Sequence, residues 1–161
     1  LAQRFSEDIL KDVVPSDILA KFMAELQEDD AKFVTRSLQI INFEKQMYEN
    51  PEQDLKLLWK EMKQRYLFRG DCTELNNEWA TIPHYLSHPA YYQNYFRAAL
   101  LKAQIYNTMR SYLGEISKNT KTAEFLREKL FKYGSSVLET EIIETLTGKS
   151  LSEDDFCNRI L

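Results

Sequence analysis

The sequence predicts an all-α protein, and three observations carry that expectation. Glycine and proline each occur only four times in 161 residues. Leu, Glu, Lys, Gln and Ala, which lose little on entering a helix, are plentiful. Apolar residues recur at three- and four-residue spacing along most of the chain. With 43% hydrophobic content, the length suits one compact helical unit spanning residues 1–161.

The opening residues RFSEDILKDVV already read as helix, although Leu1 is not an initiator methionine. The expectation is therefore that the chain is the C-terminal fragment of a larger domain, with apolar surface that favours self-association. Pro15 and Ser16 open a helix with Ile18, Leu19, Phe22, Met23 and Leu26 facing a core, and Glu28 to Asp30 mark the start of the next. From Ala31 to Tyr48, the residues Phe33, Val34, Leu38, Ile41, Phe43, Met47 and Tyr48 form an apolar stripe, with Arg36, Gln39 and Lys45 elsewhere. Asn50 as cap and Pro51 as first helical residue predict a further helix to about Leu67.

Arg69-Gly70-Asp71 reads as a helix-ending turn rather than an integrin tripeptide, and Asp71 or Thr73 would cap a short helix through Trp79. Pro89 is expected to open the longest helix, which runs past Phe96, Leu100, Ile105, Tyr106 and Met109 to about Leu113 and ends near Gly114. Thr122 to Tyr133 would bury Phe125, Leu126, Leu130 and Phe131, with Gly134 as the stop. Ser136 and Glu139 form a capping-box pattern for a helix that ends at Gly148. Ser152, followed by Glu153 to Asp155, opens a last helix holding Phe156, Ile160 and Leu161. The acidic residues there suit the helix dipole better than a calcium loop.

A net charge of −4 with both signs mixed provides no basic stripe for nucleic acid. No apolar run approaches a membrane span, and Leu1 to Phe5 does not read as a secretory signal. Cys72 and Cys157 have no metal-like spacing and make no disulfide framework, which fits a reducing cytoplasm. The stretch Trp79 to Tyr95, WATIPHYLSHPAYYQNY, holds both histidines, His84 and His88, together with Tyr91, Tyr92 and Tyr95. Imidazole and phenols can donate hydrogen bonds to a developing oxyanion, whereas activating water is the work of a bound metal.

IPHYLSHPAYYQNY, the turn YGSS after FLREKL, and the closing LTGKSLSEDDF come in an order that resembles the C-terminal part of the catalytic domain of the M3 family of zinc metallopeptidases, the thimet oligopeptidase and oligoendopeptidase F group. PSDILAKF through NFEKQMYENPEQDL is similar more weakly, so the resemblance spans most of the chain. It implies a helical fold with a channel for oligopeptides. It also implies that His84 contacts the substrate backbone and that Tyr91, Tyr92 and Tyr95 supply the phenol facing the tetrahedral intermediate. Tyr95 is placed ahead of Tyr91, and the turn at Gly134 and Ser135 would border the channel.

Several residues depart from the family pattern. Ala90 stands where an aromatic residue is usual, and Ser135 replaces a glycine. HExxH is absent, and two histidines cannot supply it. Zinc is thus expected in a parent enzyme, held by a missing N-terminal part, and this chain alone is expected neither to bind a metal nor to hydrolyse peptides. The alternative is a non-catalytic helical module that binds a peptide or a protein. Plainer readings accompany these: His84 and His88 as surface or loop histidines, Tyr92, Phe96, Ala99, Ala103 and Tyr106 as a core stripe, and Gly134 to Ser136 as a helix stop and cap.

Overall fold

The computed structural model describes residues 8–70 and 75–160, and these are all-helical, with no strand among them. A helical turn at 8–10 is followed by α1 (Ser16–Glu49), α2 (Leu55–Leu67), a 3-10 turn (Glu78–Thr81), α3 (His84–Ser87) and α4 (Tyr92–Leu113). Then come α5 (Lys121–Lys129), a 3-10 turn (Phe131–Tyr133), α6 (Glu139–Thr147) and α7 (Asp154–Ile160). Candidate caps Asp71 and Thr73 lie outside the described residues, as do Leu1 to Phe5, Cys72 and Leu161. None of the described helices is long and apolar enough to cross a membrane.

The two helices expected between Ser16 and Tyr48 are one, the 34-residue α1. Glu28 to Asp30 do not divide it, because three acidic residues cost only tenths of a kcal/mol each in a helix interior, roughly, and no glycine or proline interrupts the ladder. Asn50 and Pro51 do not open α2 either. They form a turn in which the Gln53 side chain donates to the carbonyls of Gln46 and Asn50 at 2.6 and 2.7 Å, adding to the backbone bonds that those carbonyls take from the Asn50 and Gln53 amides. The N-cap of α2 is Asp54, whose Oδ1 accepts from the amides of Lys56 and Leu57 at 2.9 and 3.1 Å. Phe68 ends that helix in the left-handed region at φ 54°.

The chain divides into two compact units, one formed by Asp29–Arg97 and the other by the segments up to Glu28 and from Ala98 onward. In the first, Ile40, Phe43, Leu58, Trp59, Met62 and Tyr85 make the core. The Phe43 ring meets the Trp59 edge at 4.9 Å and lies 5.6 Å from Tyr85. Gln39, expected on the polar side of its helix, is completely buried. It lies only about 40° around the helix from Phe43, inside the covered arc. The buried ammonium of Lys63 pairs with Glu78, which also accepts from Trp59 Nε1 and Asn76, and this fastens the 3-10 turn to α2.

In the second unit Ile105, Met109, Ile116, Ile143 and Leu146 form the core, with Phe125, Leu126 and Leu130 packed on it. Gln104 is fully buried, and its Nε2 donates to Thr147 Oγ1 at 2.8 Å and to the carbonyls of Lys149 and Ser150. Its Oε1 accepts from the Ser152 amide at 3.2 Å. The segment at 8–12 is tied down by Asp8–Arg110 at 2.7 Å, Lys11–Glu115 at 3.2 Å and the Asp12–Lys118 pair.

Three sequence expectations change in this unit. Phe131 is exposed, because the backbone tightens to a 3-10 turn after Leu130 and the change in residues per turn swings the ring off the buried face. Ile18 is exposed at the edge of its stripe. The Ser136–Glu139 capping box does not form. Ser136 Oγ donates instead to the Tyr133 carbonyl at 2.6 Å, and Leu138 precedes α6 without a side-chain cap. Gly114 and Gly148 end their helices as expected, both with positive φ.

Candidate functional site: a histidine among three tyrosines

The site is built inside the Asp29–Arg97 unit. Pro83, with φ −66°, leads into α3, a single turn that begins with His84. The chain then reverses through Pro89 and Ala90, so Pro89 does not open the long helix. Ala90 has φ 58°, which no α-helix accommodates, and α4 starts only at Tyr92. The cause is tertiary. The Ala90 amide donates at 2.7 Å to Oε1 of Glu44, a buried carboxylate on α1. The Tyr48 hydroxyl donates its one proton to the Tyr85 carbonyl at 2.9 Å, with Glu44 Oε1 as a second, more distant acceptor at 3.3 Å.

This turn brings four of the sequence-predicted site residues together. His84 Nε2 lies 3.2 Å from the Tyr95 hydroxyl. The Tyr91 ring stacks on the imidazole at 5.6 Å with 15° between planes. Tyr92 and Tyr95 present edges to it at 5.3 and 5.7 Å. Tyr91 and Tyr95 stay open to solvent at 40% and 42% exposure, while half-buried Tyr92 packs against the unit's core. The plainer, structural reading of Tyr92 thus has a physical basis, and Tyr91 and Tyr95 are the phenols a ligand can reach. His88 takes no part in the hydrogen-bonded pair: its Nδ1 lies 2.9 Å from Ser87 Oγ, and its ring packs 5.8 Å from Tyr91 and 6.3 Å from His84.

One proton lies between His84 Nε2 and the Tyr95 oxygen, and its direction follows the imidazole tautomer. Nδ1 of His84 is buried and has no partner, so the ring's polar chemistry is concentrated on the Nε2 side. Deeper in the unit, burial pushes the Tyr85 phenol up, and the charge of Glu44 adds to the shift. Tyr48 is raised by the same causes, burial first and then Glu44. Both phenols therefore remain protonated donors.

Gly134 and Ser135 belong to the other unit. Gly134 adopts φ 52°, and the turn forms one wall of an open depression of about 480 Å³ with Leu130, Val137, Leu138 and Ile142. Sequence reasoning missed Glu44, Tyr48 and Tyr85 as the residues that hold the turn beneath this cluster. A signal for Glu44 was present: it falls four residues after Ile40 and four before Tyr48, an acid on an apolar stripe. Compared with models of protein families, with curated proteins and with solved structures, the chain finds no match.

Proposed function

We propose that this chain forms part of the substrate-binding wall of a zinc-dependent oligopeptidase, where His84 and Tyr95 hydrogen-bond the carbonyl under attack. The observation that carries the reading is the 3.2 Å approach of His84 Nε2 to the Tyr95 hydroxyl beside a solvent-open Tyr91. The resemblance of IPHYLSHPAYYQNY to the M3 stretch supports it. When a peptide carbonyl becomes tetrahedral, its oxygen gains charge, and donors already aimed at that position need no reorganisation. Removing one such donor typically costs about 2.7–4 kcal/mol in the transition state.

No zinc site is assembled among the described residues. The sequence has two histidines, His84 Nε2 is engaged with Tyr95, and the described residues include no group of three His, Cys, Asp or Glu side chains that could hold a metal ion. The metal would therefore be held by residues outside this chain. What its own side chains do is bind the peptide, orient its carbonyl and donate hydrogen bonds.

The test is cleavage of internally quenched oligopeptides by the tagged protein recovered from its source cells. Chelator-sensitive cleavage that zinc restores is the expected result. The absence of HExxH from the 161 residues favours a second reading, a helical module that binds peptides without cutting them. Peptide binding without cleavage would select that reading, and neither binding nor cleavage would overturn both.

A further inference from the structure

A different feature of the Asp29–Arg97 unit is a depression of about 380 Å³ next to the Ala90 turn, walled by Ile41, Glu44, Tyr48, Ala90 and Gln93, with Lys45 and Glu49 completing its lining. Glu44 is 5% exposed, yet no cationic side chain among the described residues lies within ion-pair distance of it. Its Oε1 accepts from the Ala90 amide and shares the single Tyr48 proton with the Tyr85 carbonyl, while Oε2 has no donor among the described residues and is not sealed from solvent. Buried carboxylates are costly unless a positive charge or further donors accompany them. The Lys45 ammonium is directed to Glu49 at 3.8 Å, so Glu44, Lys45 and Glu49 leave the depression with one net negative charge. The rest of the wall is the apolar side chain of Ile41, the methyl group of Ala90, the ring of Tyr48 and the uncharged side chain of Gln93.

We propose that this depression is a binding site for a primary alkylammonium group: the charged head pairs with Glu44 Oε2, and the methylene stem lies along Ile41 and the Tyr48 ring. A negatively charged pocket with an aromatic wall and an aliphatic floor matches both halves of such a ligand. The ammonium can come from a lysine side chain of a peptide or from a free polyamine. The site does not depend on the peptidase reading, because it requires only binding.

The experiment is an NMR titration of the ¹⁵N-labelled chain, with the Ala90 amide as reporter because it bonds directly to Glu44. The probes are N-acetyl-lysine N-methylamide, spermidine, and N-acetyl-norleucine N-methylamide as the uncharged analogue. Saturable shifts of the Ala90 amide are expected with the charged probes, at least tenfold tighter than with the norleucine compound. Tighter binding of the lysine compound identifies a peptide side chain as the source, and tighter binding of spermidine a free polyamine. Equal response to the norleucine compound, or no movement of Ala90 with any probe, overturns the site. Glu44→Gln can disturb the turn itself, so two exposed positions provide the decisive variants. Gln93→Lys should weaken ammonium binding at least fivefold, and Lys45→Gln should tighten it about twofold, with the Ala90 resonance of the free protein in place in both. Unchanged affinity in both variants would also reject the proposal.

Discussion

His84 Nε2 and the Tyr95 hydroxyl lie 3.2 Å apart although they sit on different helices, α3 and α4, separated by the Pro89–Ala90 reversal. The pair is a product of that turn. If it serves a peptide carbonyl, Tyr95→Phe should lower kcat by about 10²–10³ with little change in KM, since the phenol is needed mainly in the transition state. Steady-state kinetics on a quenched oligopeptide, with the zinc-dependent activity recovered from source cells, would decide this, and equal, small effects on both parameters would sink the assignment.

The left-handed backbone of Ala90, at φ 58°, stores strain that a glycine would not carry. Ala90→Gly should therefore stabilise the protein by about 0.5–1 kcal/mol, after allowance for the extra freedom that glycine adds to the unfolded chain. A β-branched residue such as valine should destabilise it. Thermal unfolding of the two variants beside the parent protein would show the opposite shifts, and loss of stability in both would mean that the methyl group matters more than the φ angle.

Gln104 is a buried amide with four protein partners around the α6–α7 connection. Gln104→Leu keeps the volume nearly the same but removes the hydrogen bonds that tie a fully buried position on α4 to Thr147, Lys149, Ser150 and the half-buried Ser152 amide, at a cost of about 1–3 kcal/mol. Urea unfolding monitored by circular dichroism should register the loss. Replacing exposed Asn94 by alanine should change stability by less than about 0.5 kcal/mol.

The Lys63 hydrogen bond, followed by the one from Trp59, holds the Glu78 carboxyl below the usual carboxylate range. Because the folded value is lowered, the stabilisation is present above the unfolded carboxylate pKa of about 4.3 and is lost as pH falls through the folded value. Glu78→Gln should flatten the acid limb of a stability–pH curve below about pH 4.3. It should also weaken the protein at neutral pH, where nearly buried Lys63 would lose its counter-ion. Trp59 lies in this cluster, so its fluorescence is a suitable probe. An acid limb identical to that of the parent would remove Glu78 from the account.

Much of the plan was legible in the residues. The scarcity of glycine and proline and the three- and four-residue recurrence announced a helical protein. Gly114 and Gly148 marked helix ends because positive φ is a local property of glycine. The stretch from Trp79 to Tyr95 was singled out by its residue types alone, and His84, Tyr91, Tyr92 and Tyr95 do meet there.

What the sequence could not supply was decided partly by competition among local hydrogen bonds and partly by contacts between residues far apart in the chain. Asn50 and Ser136 have good capping chemistry, yet Asp54 caps α2 and no side chain caps α6. The start of α4 was misplaced because Ala90 is held in a left-handed turn by Glu44, 46 residues earlier, and no window of neighbours contains that bond. Gln39 and Glu44 look like surface residues by type and are buried by position. Local propensity differs among residues by tenths of a kcal/mol, roughly, whereas a hydrogen bond to a buried charged group is worth about 1.5–3. Where the two conflicted at Ala90, the long-range bond set the backbone, and the backbone set the site.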